Sequence, residues 1–194
     1  MRVGIDDPRV VLVIGVQAAG KSTVGRLLAT RLRRSAFIEG DVLWQMVVGG
    51  RADMADPPSD EARSQLVQRY RHGLMLARSF VEAGFVAVHA DNIYGADVSE
   101  YLSTVGGSKS LIVLRPRREV VAQREHARGA NAYQGWSTGG RSIIDAICQF
   151  DEWLAASPAV GLWIDSSSGV RSALVGRYAP RRPASNAQSA RQSV

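Results

Sequence analysis

One cysteine, two lysines and three histidines occur among 194 residues, and each scarcity closes off a class of protein. Cys148 stands alone, so no internal disulfide can form, which fits a reducing, cytoplasmic setting. With a single cysteine, and with His72, His89 and His126 at no ligand spacing, a zinc centre is not supported. Long apolar runs are missing too. The longest are strand-sized, so nothing reads as a bilayer span, and residues 1–8 lack the apolar stretch of a secretory leader. Acids are missing after Asp165, where Arg171, Arg177, Arg181, Arg182 and Arg191 stand unopposed. The formal charge of +6 therefore gathers at the C-terminal end and leaves the first 165 residues near +1, which gives little support to a nucleic-acid-binding body.

What remains is the composition of an ordinary globule, 45% hydrophobic and 22% charged, long enough for one α/β domain. Against 22 arginines, Lys21 is conspicuous. It lies in Gly15-Val16-Gln17-Ala18-Ala19-Gly20-Lys21-Ser22, which matches Gly-x-x-x-x-Gly-Lys-Ser/Thr, the P-loop that wraps polyphosphate in backbone N–H groups. Residues 10–14 before it read as a buried strand and residues 21–33 as a helix. That order sets a helix N-terminus, with its unpaired N–H groups, against the phosphates. Gly15, Ala18, Ala19, Gly20, Lys21, Ser22 and Thr23 are thus the expected contacts to ATP or GTP. The Lys21 ammonium would reach the β- and γ-phosphates, and the Ser22 hydroxyl would ligate Mg²⁺.

Further along, strands and helices alternate, which predicts a largely parallel sheet flanked by helices. Strands are expected at residues 36–38, 85–90, 111–114 and 162–164. Helices are expected at 42–48, 59–83, 97–105, 117–128, 142–156 and 169–178. Leu66, Tyr70, Leu74, Ala77 and Val81 give the long helix at 59–83 a buried stripe, and Gly84 suits its C-terminal cap. Residues 180–194, rich in Ala, Ser, Gln and Arg without apolar period, read as disordered.

Phosphoryl transfer to an alcohol also needs a carboxylate to position and deprotonate the hydroxyl. Asp41 and Asp91 each follow a predicted strand, at the edge where ligands collect in open α/β sheets. They are candidates to divide the handling of the hydroxyl and the metal, with Glu39 as a third. Arg124 and Arg128 share one helix face beside a Gly-rich loop and would neutralise charge developing on the phosphates. His89, on an apolar strand, reads as a core residue. Trp44, Tyr70, Tyr94, Tyr133 and Trp136 are candidates to line a cleft or simply to pack.

Taken together, residues 15–23, Glu39-Gly40-Asp41, Val88-His89-Ala90-Asp91, Arg124-Glu125-His126-Ala127-Arg128 and Gly161-Leu162-Trp163-Ile164-Asp165-Ser166 resemble the P-loop small-molecule kinases, which include gluconate and shikimate kinases. More closely, the chain resembles the chloramphenicol phosphotransferase-like proteins of antibiotic-producing bacteria. The resemblance implies a P-loop NTPase fold over residues 1–178, with five parallel strands ordered 2-3-1-4-5. It also implies a substrate-side helical region at 42–82, a lid at 117–140 and a C-terminal tail at 179–194. Asp41 becomes the implied catalytic base, Arg124 and Arg128 the lid arginines, and Ser166 a contact near the nucleotide base. Arg51, with Asp53 and Met54, would lie near the acceptor. His89-Ala90-Asp91-Asn92 departs from the pattern by its polarity, which leaves the part played by Asp91, metal or substrate, open.

The expected activity is transfer of the γ-phosphoryl group to a hydroxyl of a small molecule, plausibly an antibiotic, by a monomer or homodimer with no nucleic-acid or membrane partner. A remodelling or nucleic-acid-linked ATPase is the alternative. A GTPase switch would require Asn-Lys-x-Asp, and Lys109 sits instead in Gly-Ser-Lys-Ser.

Overall fold

Runs of Val, Ile and Leu with no polar alternation suit strands covered on both faces, as in a parallel sheet. A computed structural model of the chain, described here for residues 7–129, 132–137 and 140–168, shows that sheet. Its strands are β1 (Arg9–Gly15), β2 (Ser35–Glu39), β3 (Val86–Asp91), β4 (Lys109–Leu114) and β5 (Leu162–Ile164). All pair in parallel, in the order β2-β3-β1-β4-β5. The order is the one the resemblance implied. β1 is central and fully buried after Arg9, and β3 is buried throughout. Register matters for the site: Ile14 pairs with Asp91 and Ala90 with Glu39, so three strand ends reach the same edge together.

The helices are α1 (Lys21–Ala29), α2 (Gly40–Gln45), α3 (Asp60–Glu82), α4 (Ala96–Thr104), α5 (Arg118–Ala127) and α6 (Ile143–Ala155), with a 3₁₀ turn at Gln134–Trp136. α1 stops short of the expected Arg33. The Ser35 hydroxyl donates to the Ala29 carbonyl at 2.6 Å and the Thr30 hydroxyl to that of Leu27 at 2.9 Å, so side chains take the terminal acceptors. α2 likewise ends at Gln45 rather than at residue 48. α3 starts where its cap predicted: Ser59 Oγ accepts from Ala62 N at 3.1 Å, and Gly84 ends the helix with φ of 81°. The expected helix at 169–178 and the tail at 179–194 lie outside the described residues. No helix among the described residues is long and apolar enough to cross a membrane.

Two glycines let α2 and α3 press on the sheet. A Cβ at Gly73 would fall 2.3 Å from the His89 ring, and one at Gly40 would fall 2.2 Å from the Asp91 carboxyl carbon. Gly73 therefore sits mid-helix for packing, against its poor helix propensity. Gly73→Ala is expected to destabilise the protein by roughly 1–3 kcal/mol through overpacking. Urea denaturation checks this; an unchanged or raised midpoint would contradict the close approach.

Candidate active site

The C-terminal edge of the sheet opens into a cavity of about 290 Å³. The loop between β1 and α1 forms one wall. Ala18 adopts φ of 61° and Gly20 φ of 99°, left-handed conformations within a tight turn in which the Ala19 N–H donates to the Val16 carbonyl at 3.1 Å. Gly20 caps α1 without any side-chain partner, and the first residues of that nine-residue helix line the cavity. Ser22 and Thr23 line the same wall.

Lys21 is 9% exposed, and its Nζ donates to the Val16 carbonyl of its own loop at 2.9 Å. Burial pulls its pKa down to about 8, while Asp41 and Asp91 push back upward and Arg69 and Arg128 lower it further. An ammonium held among backbone groups with one strong partner is poised to exchange that carbonyl for phosphate oxygens.

The loop is gripped from behind. Arg124 Nη1 donates to the carbonyls of Ala18 and Ala19 at 3.4 and 3.3 Å, and its Nη2 to that of Ser166 at 2.7 Å. Ser166, fully buried, donates its hydroxyl to the Ala19 carbonyl at 3.0 Å. Tyr133 donates to Gln17 O at 3.0 Å and Tyr94 to Gly15 O at 3.4 Å. Burial holds both phenols well above the usual tyrosine range, so they stay neutral donors. Arg124 and Ser166 thus meet the P-loop through its carbonyls. Arg128, by contrast, lines the cavity and has no carboxylate partner among the described residues.

Opposite stand the carboxylates. Asp41, in the first turn of α2, lines the cavity, is exposed and has no ion-pair partner among the described residues. Glu39 also lines it, but faces Arg26 at 3.4 Å. Asp91 is 2% exposed. Its Oδ1 meets Arg69 Nη2 at 2.8 Å and accepts from Asn92 N at 2.6 Å. Burial alone would raise this carboxyl; the Arg69 guanidinium first, then His89 and the Asn92 amide, outweigh it and leave the group below the usual range. His89 is only half satisfied as a core residue: Nδ1 lies 2.7 Å from Tyr101 Oη, while Nε2, 3.5 Å from Asp91 Oδ2, has no hydrogen-bond partner among the described residues. Arg51 pairs with Asp53 at 3.5 Å on an exposed stretch and is not among the residues lining the cavity.

Sequence reasoning missed Arg69 and Asn92. Arg69 is one of several arginines on α3, and nothing in the spacing marks it as the one that turns inward. Asn92 had a signal, the unusual polarity at the end of β3.

Among the described residues no cluster of three or more His, Cys, Asp or Glu could cage an ion. Mg²⁺ carried on a polyphosphate needs only one or two protein oxygens, and the Ser22 hydroxyl on the cavity wall fits that demand.

No protein-family model matches this chain, and no curated protein matches it. Solved structures do. A gluconokinase from Sinorhizobium meliloti 1021 is 19% identical, with a TM-score of 0.56 over 86% of this chain and 87% of that one. A shikimate kinase from Acinetobacter baumannii in complex with shikimate is 18% identical, with a TM-score of 0.56 over 87% and 89%. A sugar kinase from Janibacter sp. HTCC2649 is 18% identical, with a TM-score of 0.54 over 84% and 86%. The chain has the fold of the P-loop small-molecule kinases. At this identity the likeness is one of architecture, and it does not extend to the narrower chloramphenicol phosphotransferase-like resemblance.

The depressed Lys21 value gives a pH prediction. Phosphate binding needs the ammonium, so nucleotide affinity should hold below pH about 8 and fall as pH rises through it, by up to about tenfold per unit. Calorimetry in buffers of different ionisation enthalpy should record proton uptake on binding near pH 8. Binding without proton linkage there would contradict the buried, depressed lysine. Stability has the opposite sign. Folded Lys21 sheds its proton before the unfolded one, so the nucleotide-free protein gains stability between about 8 and 10.5.

Proposed function

We propose that this chain transfers the γ-phosphoryl group of ATP or GTP to a hydroxyl of a small molecule. One observation carries the reading: a P-loop lysine and Asp41, a carboxylate without an ion-pair partner among the described residues, line a single cavity. A hydrolase switch has no need of such a carboxylate. An alcohol phosphotransferase does.

In this reading the N–H groups of Ala18 and of Gly20 to Thr23 and the Lys21 ammonium bind the β- and γ-phosphates. Mg²⁺, when bound, neutralises phosphate charge, and Ser22 would hold it. Asp91 was a candidate for metal and for acceptor alike; wedged between Gly40, Arg69 and His89, it is assigned to the acceptor side. The acceptor hydroxyl gives its proton to Asp41 and its oxygen bonds to the γ-phosphorus. The bond from that phosphorus to the bridging oxygen breaks, and nucleoside diphosphate leaves. Arg128 stabilises charge on the transferring group. Arg124 is assigned to holding the loop, with Ser166, instead of to the lid role first expected of it.

Relatives in fold named as gluconokinase and shikimate kinase support a small hydroxylated acceptor. An antibiotic acceptor, and with it self-resistance, rests on the sequence resemblance alone. A nucleic-acid acceptor is less well supported, since the acceptor side of the cavity bears carboxylates and the unopposed arginines lie beyond residue 165.

Asp41→Asn is expected to lower kcat by about 10²-fold or more with nucleotide affinity kept. Full activity would move the base to Asp91 or Glu39. Arg128→Ala should lower kcat by about 10²-fold with unchanged melting temperature, whereas Arg124→Ala should weaken nucleotide binding and lower the melting temperature together. Steady-state kinetics with thermal denaturation separates the two arginines, and identical behaviour of both variants would contradict the assignment.

A further inference from the structure

The acceptor half of the cavity has no free cation among the described residues. Lys21 and Arg128 are the basic residues that line the cavity, and the kinase reading assigns both to the phosphates. Arg69, next behind the wall, is held by Asp91 Oδ1 at 2.8 Å, with side-chain exposures of 9% and 0%. Arg51 pairs with Asp53, Arg141 with Asp56, and Arg26 with Glu39.

The carboxylates of Glu39, Asp41 and Asp91 line this half, with Asn92 beside them. Asp91 Oδ2 is turned to His89 Nε2, 3.5 Å away, on a side chain with no exposure, whereas Asn92 Oδ1 has no hydrogen-bond partner among the described residues. Asn92 is fixed by its backbone: its carbonyl accepts from Tyr70 Oη at 2.6 Å and its N–H donates to Asp91 Oδ1 at 2.6 Å. Asn92 therefore stands at the cavity wall in a pinned position.

The Asn92 amide can both accept from and donate to a hydroxyl, and can accept from an ammonium. A carboxylate or phosphate ester would bring a negative charge beside Asp41 with no cation lining this half, among the described residues, to meet it.

We propose that the acceptor is an alcohol without negative charge, polyhydroxylated or amine-bearing, and that Asn92 reads a second polar group next to the hydroxyl that Asp41 deprotonates. This deepens the kinase reading and rests on it. Asn92 is then a specificity-determining residue, and the Arg69–Asp91 pair keeps acids out by leaving no guanidinium exposed.

The test is a panel of alcohols matched in skeleton and differing in charge, such as glucose, glucosamine and gluconate, extended to other sets of polyol, amino-polyol and sugar acid. Each is incubated with the full chain, ATP or GTP and Mg²⁺, and products are read by the mass of one added phosphoryl group. Neutral or amine-bearing members should be phosphorylated, with the matching acids at least about tenfold lower in kcat/KM. Asn92→Ala should raise the KM for the preferred acceptor by about tenfold or more, with a smaller effect on the KM for nucleotide. Asp91→Asn, which releases Arg69, should narrow the discrimination against the acid. A carboxylated or phosphorylated alcohol as preferred acceptor would overturn the proposal, as would an Asn92→Ala enzyme with unchanged acceptor KM. Phosphorylation of no alcohol of any charge, with nucleotide still bound, would instead overturn the kinase reading.

Discussion

The ion pair between Asp91 and Arg69 holds the site together. It is almost wholly buried, and it lies where β3 ends, where α3 crosses, and where Gly40 opens α2. A carboxylate in that position forbids a Cβ at Gly40, sets the start of α2 and so fixes where the next residue, Asp41, stands. Arg69 also lies over the Trp44 and Tyr70 rings, at 5.9 and 5.7 Å, which ties α2 to α3. Buried pairs are seldom the cheapest way to stabilise a core, and removing one partner leaves an uncompensated charge. Here the pair gives geometry: it places one carboxylate by burying another.

The opposite wall obeys a complementary constraint. A P-loop must turn its N–H groups toward a ligand, which leaves its carbonyls pointing away from it. The carbonyls of Gly15, Gln17, Ala18 and Ala19 are met by Tyr94, Tyr133, Arg124 and Ser166. Backbone groups that would otherwise be orphaned become the means of holding the loop in its left-handed turns. Preorganised donors of this kind are what electrostatic catalysis of phosphoryl transfer needs, since little reorganisation remains at the moment of reaction.

The sheet, its strand order and the P-loop were legible because they are written locally: an apolar run, a Gly-rich turn, a cap. Asp41 and Asp91 were legible as neighbours because parallel strand ends share an edge. The contacts of Arg124 were not. It spans more than 100 residues to reach Ala19, and a helix face tells which residues align but not what lies opposite. The inward turn of Arg69 and the pinned Asn92 are tertiary facts of the same kind. The polarity at the end of β3 was the one sign of Asn92, and nothing in the spacing marked Arg69. The early end of α1 came from hydroxyls of Thr30 and Ser35 competing for carbonyls, a local effect that apolar periodicity does not record.

The central claim is that the turn around Lys21 holds a polyphosphate facing Asp41. A crystal structure with a non-hydrolysable nucleoside triphosphate and Mg²⁺ tests it most directly. The account predicts β- and γ-phosphates among the N–H groups of residues 18 and 20–23, Lys21 Nζ moved from the Val16 carbonyl onto phosphate oxygen, and the γ-phosphate turned toward Asp41. Nucleotide bound elsewhere, with Lys21 still on Val16, would contradict it.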